Sequence, residues 1–200
     1  MRSFAALGAM AVTLAAQNPP AGTAPAGQRG GGGRGRGGVQ IMTLASSAWT
    51  DGAVMPLKFT QAGEEVSPAL TWSNVPDTAA SFVLVVHDLD APIGNGLDDV
   101  LHWMVWNIPG AARGLPEAVP QGPQLADGTR QISVTGPYYR GPAAPATGPV
   151  HHYVFELFAL DAMLDVPPVG ATPPNTRAAV VAAMAGHVRG KATLVGLFKR

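Results

Sequence analysis

The sequence predicts a mostly β protein, a one-domain β-sandwich or barrel with a single helix near its C-terminus. Three observations carry that reading. Apolar, β-branched and aromatic runs of strand length dominate the chain from Val39 onward. Clusters of turn residues separate them at Asn95-Gly96, Pro109-Gly110, Asp127-Gly128 and Pro167-Pro168, as expected of many short strands in a sandwich or barrel. One stretch, Arg177 to His187, has the Ala- and Met-rich composition of a helix.

The elements follow in chain order. Ser81 to His87 (S-F-V-L-V-V-H) has a continuous apolar centre, the pattern of a strand buried on both faces. Further strands are expected over Val100 to Ile108, Gln131 to Thr135, His152 to Leu160 and Ala192 to Lys199. Before the helix, Pro173-Pro174-Asn175-Thr176 supplies breakers and a capping residue, and Gly186 or Gly190 offers a stop. No internal repeat or coiled coil is visible.

The N-terminal stretch stands apart from this pattern. Met1-Arg2, an apolar run from Phe4 to Ala16, and the small residues Thr13 and Ala15 have the layout of a secretory signal peptide over residues 1–16. The run is too short to span about 30 Å of hydrocarbon, so the mature chain is expected outside the cytoplasm with no transmembrane segment. Residues 17–38 are Gly-, Pro- and Ala-rich and end in an Arg-Gly run. They read as a flexible linker, although such runs also bind nucleic acid or acidic surfaces weakly. The folded domain is expected over residues 39–200.

Charge narrows the function. The chain carries 13 basic and 13 acidic residues and no Cys. No disulfide framework or lipid-bearing Cys is therefore available. Four of the basic residues, Arg2, Arg29, Arg34 and Arg36, precede Val39, and every Asp and Glu follows it. The domain is mildly acidic, which argues against a nucleic-acid backbone as its partner.

Three segments place titratable groups at strand ends beside Pro and Gly: Asp88-Leu89-Asp90-Ala91-Pro92, His102-Trp103, and Tyr139 to Tyr153 (Y-R-G-P-A-A-P-A-T-G-P-V-H-H-Y). In extended backbone Asp88 and Asp90 share a face, as do His151 and Tyr153, with His152 pointing away. The two aspartates read equally as turn caps or as binding groups on a loop. A lone His in an apolar strand, as His102 is, is often a satisfied core residue. An imidazole and a phenol side by side can donate two hydrogen bonds to one oxyanion, so the set can form a small cavity for a phosphate-type group.

In order and company these segments resemble the phosphatidylethanolamine-binding protein family, its bacterial Raf kinase inhibitor-like branch in particular. That family carries D-x-D-A-P, then H-W, then G-P-x-P-P followed by H-R-Y. Ser67-Pro68-Ala69-Leu70-Thr71-Trp72 with Val75-Pro76, Trp106-Asn107-Ile108-Pro109, Phe155 to Asp161 and Gly186 to Lys191 are similar to further family segments. The chain departs twice: Ala144 stands at the first Pro of the P-P pair, and His152 replaces the Arg of H-R-Y.

The resemblance implies a large antiparallel sheet packed on a smaller one, with a ligand cavity at one end. It implies that Asp88, His102, His151 and Tyr153 line an anion pocket and that Asp90 and Pro92 frame its loop. Gly141, Pro142, Ala143 and Pro145 match the loop bordering the cavity. A His at 152 exchanges a permanent charge for a titratable, shorter group, so that loop is expected to be held more loosely.

The implied function is a non-catalytic binding protein, without cofactor, for an anionic small molecule or phospholipid head group such as phosphoethanolamine. Some relatives also modulate kinases or proteases. The alternative is a metal-assisted hydrolase in which the Asp/His cluster ligates a metal and activates water. Against it, the sequence has neither H-E-x-x-H nor a G-x-S-x-G elbow.

Overall fold

A computed structural model describes residues 38–170 and 172–200. The expected signal peptide lies outside the described residues, as does the linker apart from Gly38.

The strands are β1 (Gln40–Ile41), β2 (Thr43–Ser46), β3 (Ala53–Val54), β4 (Leu70–Ser73), β5 (Ser81–Ile93), β6 (Asp98–Pro109), β7 (Gly114–Leu115), β8 (Arg130–Ile132), β9 (His151–Leu160) and β10 (Val188–Phe198). The helix is α1 (Pro173–Ala183), and a single 3-10 turn covers Leu57–Phe59. The large sheet runs β1-β10-β9-β5-β6-β8, with β3 also on β10; the small sheet runs β2-β4-β7. The body of the large sheet is antiparallel, as expected, and the two-residue strands β1 and β3 add parallel pairs along β10.

The sequence pattern explains three layers. Alternate residues of β5, Phe82, Leu84 and Val86, pack with Trp72 of the small sheet and with Trp103 and Phe155. The intervening Val83 and Val85 pack with Trp106, Val180 and Met184 on the helix side. A strand covered on both faces has no reason to alternate in polarity, hence its unbroken apolar run.

Several expected boundaries shift. β5 continues through Asp88 to Ile93, and β9 begins at His151. β8 ends at Ile132 because Ser133 and Gly136 close a turn by mutual backbone hydrogen bonds. α1 starts at Pro173 instead of after the two prolines, with Thr172 at its N-cap. Pro is tolerated there because the first helical N–H groups lack intrahelical partners anyway.

Candidate functional site

The site forms at one end of the large sheet, where β5, β6 and β9 meet the loop that follows Tyr139. β5 and β9 pair Asp88 with Tyr153, which puts both on the face turned toward the small sheet. His151, two residues before Tyr153, shares that face.

His102 reaches the same face by a different device. The β5–β6 register shifts between Val86↔Trp103 and His87↔Leu101, leaving His102 as the extra residue of a β-bulge. A bulge re-aims side chains that strict alternation would send apart. Leu101 and Met104 pack on the helix side, and Trp103 packs on the other. The His102 ring stands edge-on to Tyr153, with centroids 5.0 Å apart.

Hydrogen bonds lock the cluster. Asp88 Oδ2 accepts from His151 Nδ1 at 2.8 Å, and Oδ1 accepts from the Asp90 N–H at 3.0 Å. Asp88 thus caps the turn with one oxygen and holds the His151 ring with the other. The Tyr153 oxygen accepts from the backbone N–H groups of Ala143 at 3.2 Å and Ala144 at 3.1 Å. Burial raises the Tyr153 pKa, and Asp88 adds to the rise against the two N–H groups. The phenol oxygen pins the loop at Ala143 and Ala144.

The two histidines are free at one nitrogen each. His102 Nδ1 donates to the Arg140 carbonyl at 2.9 Å, which leaves Nε2 without a protein partner among the described residues. His151 likewise commits Nδ1 to Asp88 and leaves Nε2 open. Neither belongs with the sealed, unpartnered polar atoms, which are His87 Nε2, Thr129 Oγ1 and Arg130 Nε. Burial holds the His102 pKa below its ordinary value, so it is a neutral imidazole near pH 7.

Asp90 is not gathered into this set. It sits on the bulge between Asp88 and Pro92, exposed, where Oδ2 accepts from the backbone N–H of His152 at 2.7 Å and its Nδ1 at 2.9 Å. Burial, though slight, works against these bonds, and they still hold its pKa below the ordinary carboxylate value. His152 thus reaches the Asp90 carboxylate with both its ring and its backbone despite being shorter than an arginine. Pro92 lies in the β5–β6 hairpin, also exposed. Among the described residues, no group of three or more His, Asp or Glu is arranged to hold a metal ion.

Three residues absent from the sequence reading support the loop. Gln61 donates from Nε2 to the Gly141 carbonyl at 2.7 Å and from its backbone to the Pro142 carbonyl at 3.0 Å. Glu65 accepts from the Gly141 N–H at 3.3 Å. Arg140 brackets His102, its N–H donating to the His102 carbonyl at 3.0 Å. Gln61 and Glu65 lie in an irregular segment with no periodicity to flag them. Arg140, a lone cation before Gly-Pro, was visible inside the Y-R-G-P run.

Clefts lie on the opposite side of the sheet, along α1. One, of about 410 Å³, is lined by Leu101, Val134, Pro173 and Arg177; another, of about 350 Å³, by Val85, Glu156, Arg177 and Val188. In the Asp88 cluster His151, 9% exposed, is the most open member.

A family model described as phosphatidylethanolamine-binding protein matches residues 45–199. The chain is 41% identical over 161 residues to a UPF0098 protein of Methanothermobacter thermautotrophicus, covering 80% of this chain and 99% of that one. It is 39% identical over 161 residues to a Mycobacterium tuberculosis protein named lipoprotein LppC, covering 79% and 72%. Its fold matches a solved phosphatidylethanolamine-binding protein homologue, CT736 of Chlamydia trachomatis, with a TM-score of 0.66, 30% identity and coverage of 80% and 99%.

Proposed function

The chain belongs to the phosphatidylethanolamine-binding protein family, and from that premise we propose that it is a non-catalytic, exported protein that binds phosphate-type anions. The ligand is the phosphoryl part of a head group such as phosphoethanolamine, held at the His102–His151 end of the large sheet. One observation carries the reading: both imidazoles spend Nδ1 on protein acceptors, Arg140 O and Asp88, and present Nε2 around the fixed Tyr153 ring. Such second partners set the tautomer and orientation of a histidine.

A phosphoryl oxygen needs donors, and a neutral His102 offers a lone pair at Nε2. A dianionic ligand therefore protonates His102 on binding, and its affinity falls as pH rises. The leader pattern of residues 1–16 and the lipoprotein name of the mycobacterial relative support export. A site outside the cytoplasm suits a lipid head group better than an intracellular kinase.

Calorimetry with a phosphodiester probe tests the reading, since its single charge stays constant over the relevant pH range. His151→Ala is expected to weaken binding by roughly 1.5–3 kcal/mol, the range for a hydrogen bond to a charged group. His187→Ala, on the Asp161 ion pair far from the motif set, is expected to leave it unchanged. Equal losses for the two variants, or no binding by the wild type, would reject the site.

A further inference from the structure

The anion site has no arginine at position 152, yet an anion in a partly buried pocket needs a fixed countercharge. Among the described residues, Arg113, Arg130, Arg177 and Arg189 all spend their guanidinium groups on carbonyls or carboxylates. The guanidiniums of Arg200 and Arg140 have neither an ion pair nor a hydrogen bond there. Arg200 touches the loop through its own backbone N–H, which donates to the Ala144 carbonyl at 3.4 Å. The Arg140 backbone, by contrast, is held firmly against His102. The N–H donates to the His102 carbonyl, and the carbonyl accepts from His102 Nδ1.

The flanking residues leave little choice of direction. Tyr139 is buried in the core, its hydroxyl donating to the Phe59 carbonyl at 2.8 Å. Gly141 is wedged so closely that an added Cβ would lie 2.6 Å from the same carbonyl oxygen. The Arg140 side chain therefore leaves the core half-buried beside the imidazole. Consistently, its charge is one of the influences that depress the His102 pKa, after burial.

We propose that Arg140 supplies the fixed positive charge of the site, set beside His102, and matches it to a phosphoryl group of one negative charge. The Asp88 carboxylate already accepts from His151 Nδ1 and the Asp90 N–H. Of the two unpartnered guanidiniums, Arg140 is the one whose backbone is bonded to His102 on both sides, which leaves it for the ligand. A phosphodiester of charge −1 is satisfied by it with little proton transfer. A monoester, mostly dianionic above pH ~6, must recruit a second charge by protonating an imidazole. Five donors in a planar fork suit the guanidinium to a phosphoryl group.

The inference rests on the anion-site reading above. The test is calorimetry on the purified protein at pH 8, in two buffers of different ionisation enthalpy so that proton uptake is read directly. Glycerophosphoethanolamine, phosphoethanolamine and inorganic phosphate are the probes. Arg140→Gln is expected to weaken glycerophosphoethanolamine binding roughly 10–100-fold, the loss of one charge-assisted hydrogen bond. Arg140→Lys should regain part of it, and Arg189→Gln, of equal charge change, should match wild type. In the NMR titration of Arg140→Gln the His102 midpoint should move up, a readout that also reports an intact fold.

Tight binding of inorganic phosphate with the same dependence on Arg140 would support the inference, with free phosphate as the source. Wild-type affinity in Arg140→Gln, with His151→Ala impaired, would overturn the role of Arg140 and leave the anion site standing. Tighter binding of phosphoethanolamine than of the diester, without proton uptake, would overturn the single-charge preference. No binding of any probe by wild type would remove both.

Discussion

His87 and Asp88, neighbours in β5, point to opposite faces of the large sheet and anchor two separate polar systems. Asp88 joins His151 and Tyr153 on the small-sheet side. His87 is the centre of a charge ladder on the helix side. Lys191 Nζ lies 2.6 Å from Glu156, and Glu156 Oε2 lies 3.4 Å from His87 Nε2, an ion-pair contact without hydrogen-bond geometry. His87 Nδ1 donates to Asp99 at 2.5 Å, and Arg177 of α1 donates to Asp99 Oδ1 at 2.7 Å. The ladder crosses β10, β9, β5 and β6 and ties the helix to them.

The ladder predicts how stability depends on pH. Burial acts to lower the His87 pKa, but Glu156 and Asp99 outweigh it and hold the value above the ordinary 6.5. That contribution is complete below pH 6.5 and is lost as pH rises through the folded value. Glu156 is held down at about 2, chiefly by His87 beside it, from an ordinary 4.5. Its contribution is complete above pH 4.5 and is lost as pH falls toward 2. Denaturant unfolding across pH should show greatest stability near pH 4.5–6.5, and His87→Gln should flatten the alkaline limb.

Tyr153→Phe removes the acceptor for two loop N–H groups. The buried Ala144 N–H is then left unpaired, which costs about 1–3 kcal/mol. Hydrogen exchange at the Ala143 and Ala144 amides should quicken more than exchange in β10. Unchanged protection there would mean that the phenol does not hold the loop.

Gly141→Ala tests the wedge under the loop. The new Cβ would meet backbone atoms of Phe59 and Thr60 at 2.6–2.9 Å, and backbone cannot step aside as a flexible side chain can. Overpacking of this kind costs about 1–3 kcal/mol. Both the melting temperature and phosphodiester affinity should fall, because the loop carries Arg140 on one side and the Tyr153 contacts on the other. Gly148→Ala, where a Cβ has 3.9 Å of clearance, is the matched control.

The N-terminal reading predicts that native protein starts near residue 17 and is recovered outside the cytoplasm. Edman or mass-spectrometric sequencing checks this directly, and a native chain beginning at Met1 would refute it. Deleting residues 17–38 should leave the melting temperature unchanged, since a segment of that composition buries little apolar surface.

Local composition determined most of the architecture. The doubly apolar run of β5, the turn clusters and the Ala-rich stretch before Gly186 report burial and backbone preference directly, so they located the central strands and the helix. The motif order was enough to bring Asp88, His102, His151 and Tyr153 into one site. Tertiary structure decided which atoms of that site remain free. Strict alternation would have grouped Asp90 with Asp88, but three extra residues between Asp88 and Pro92 send it to His152 instead. A one-residue bulge turns His102 toward Tyr153. The phenol, read from sequence as a donor, also accepts from two loop amides. Register shifts and hydrogen-bond partners arise between segments far apart in the chain, 63 residues for Asp88 and His151 and 80 for Gln61 and Gly141. No local pattern encodes such pairings, because they exist only once the sheet has brought the strands together.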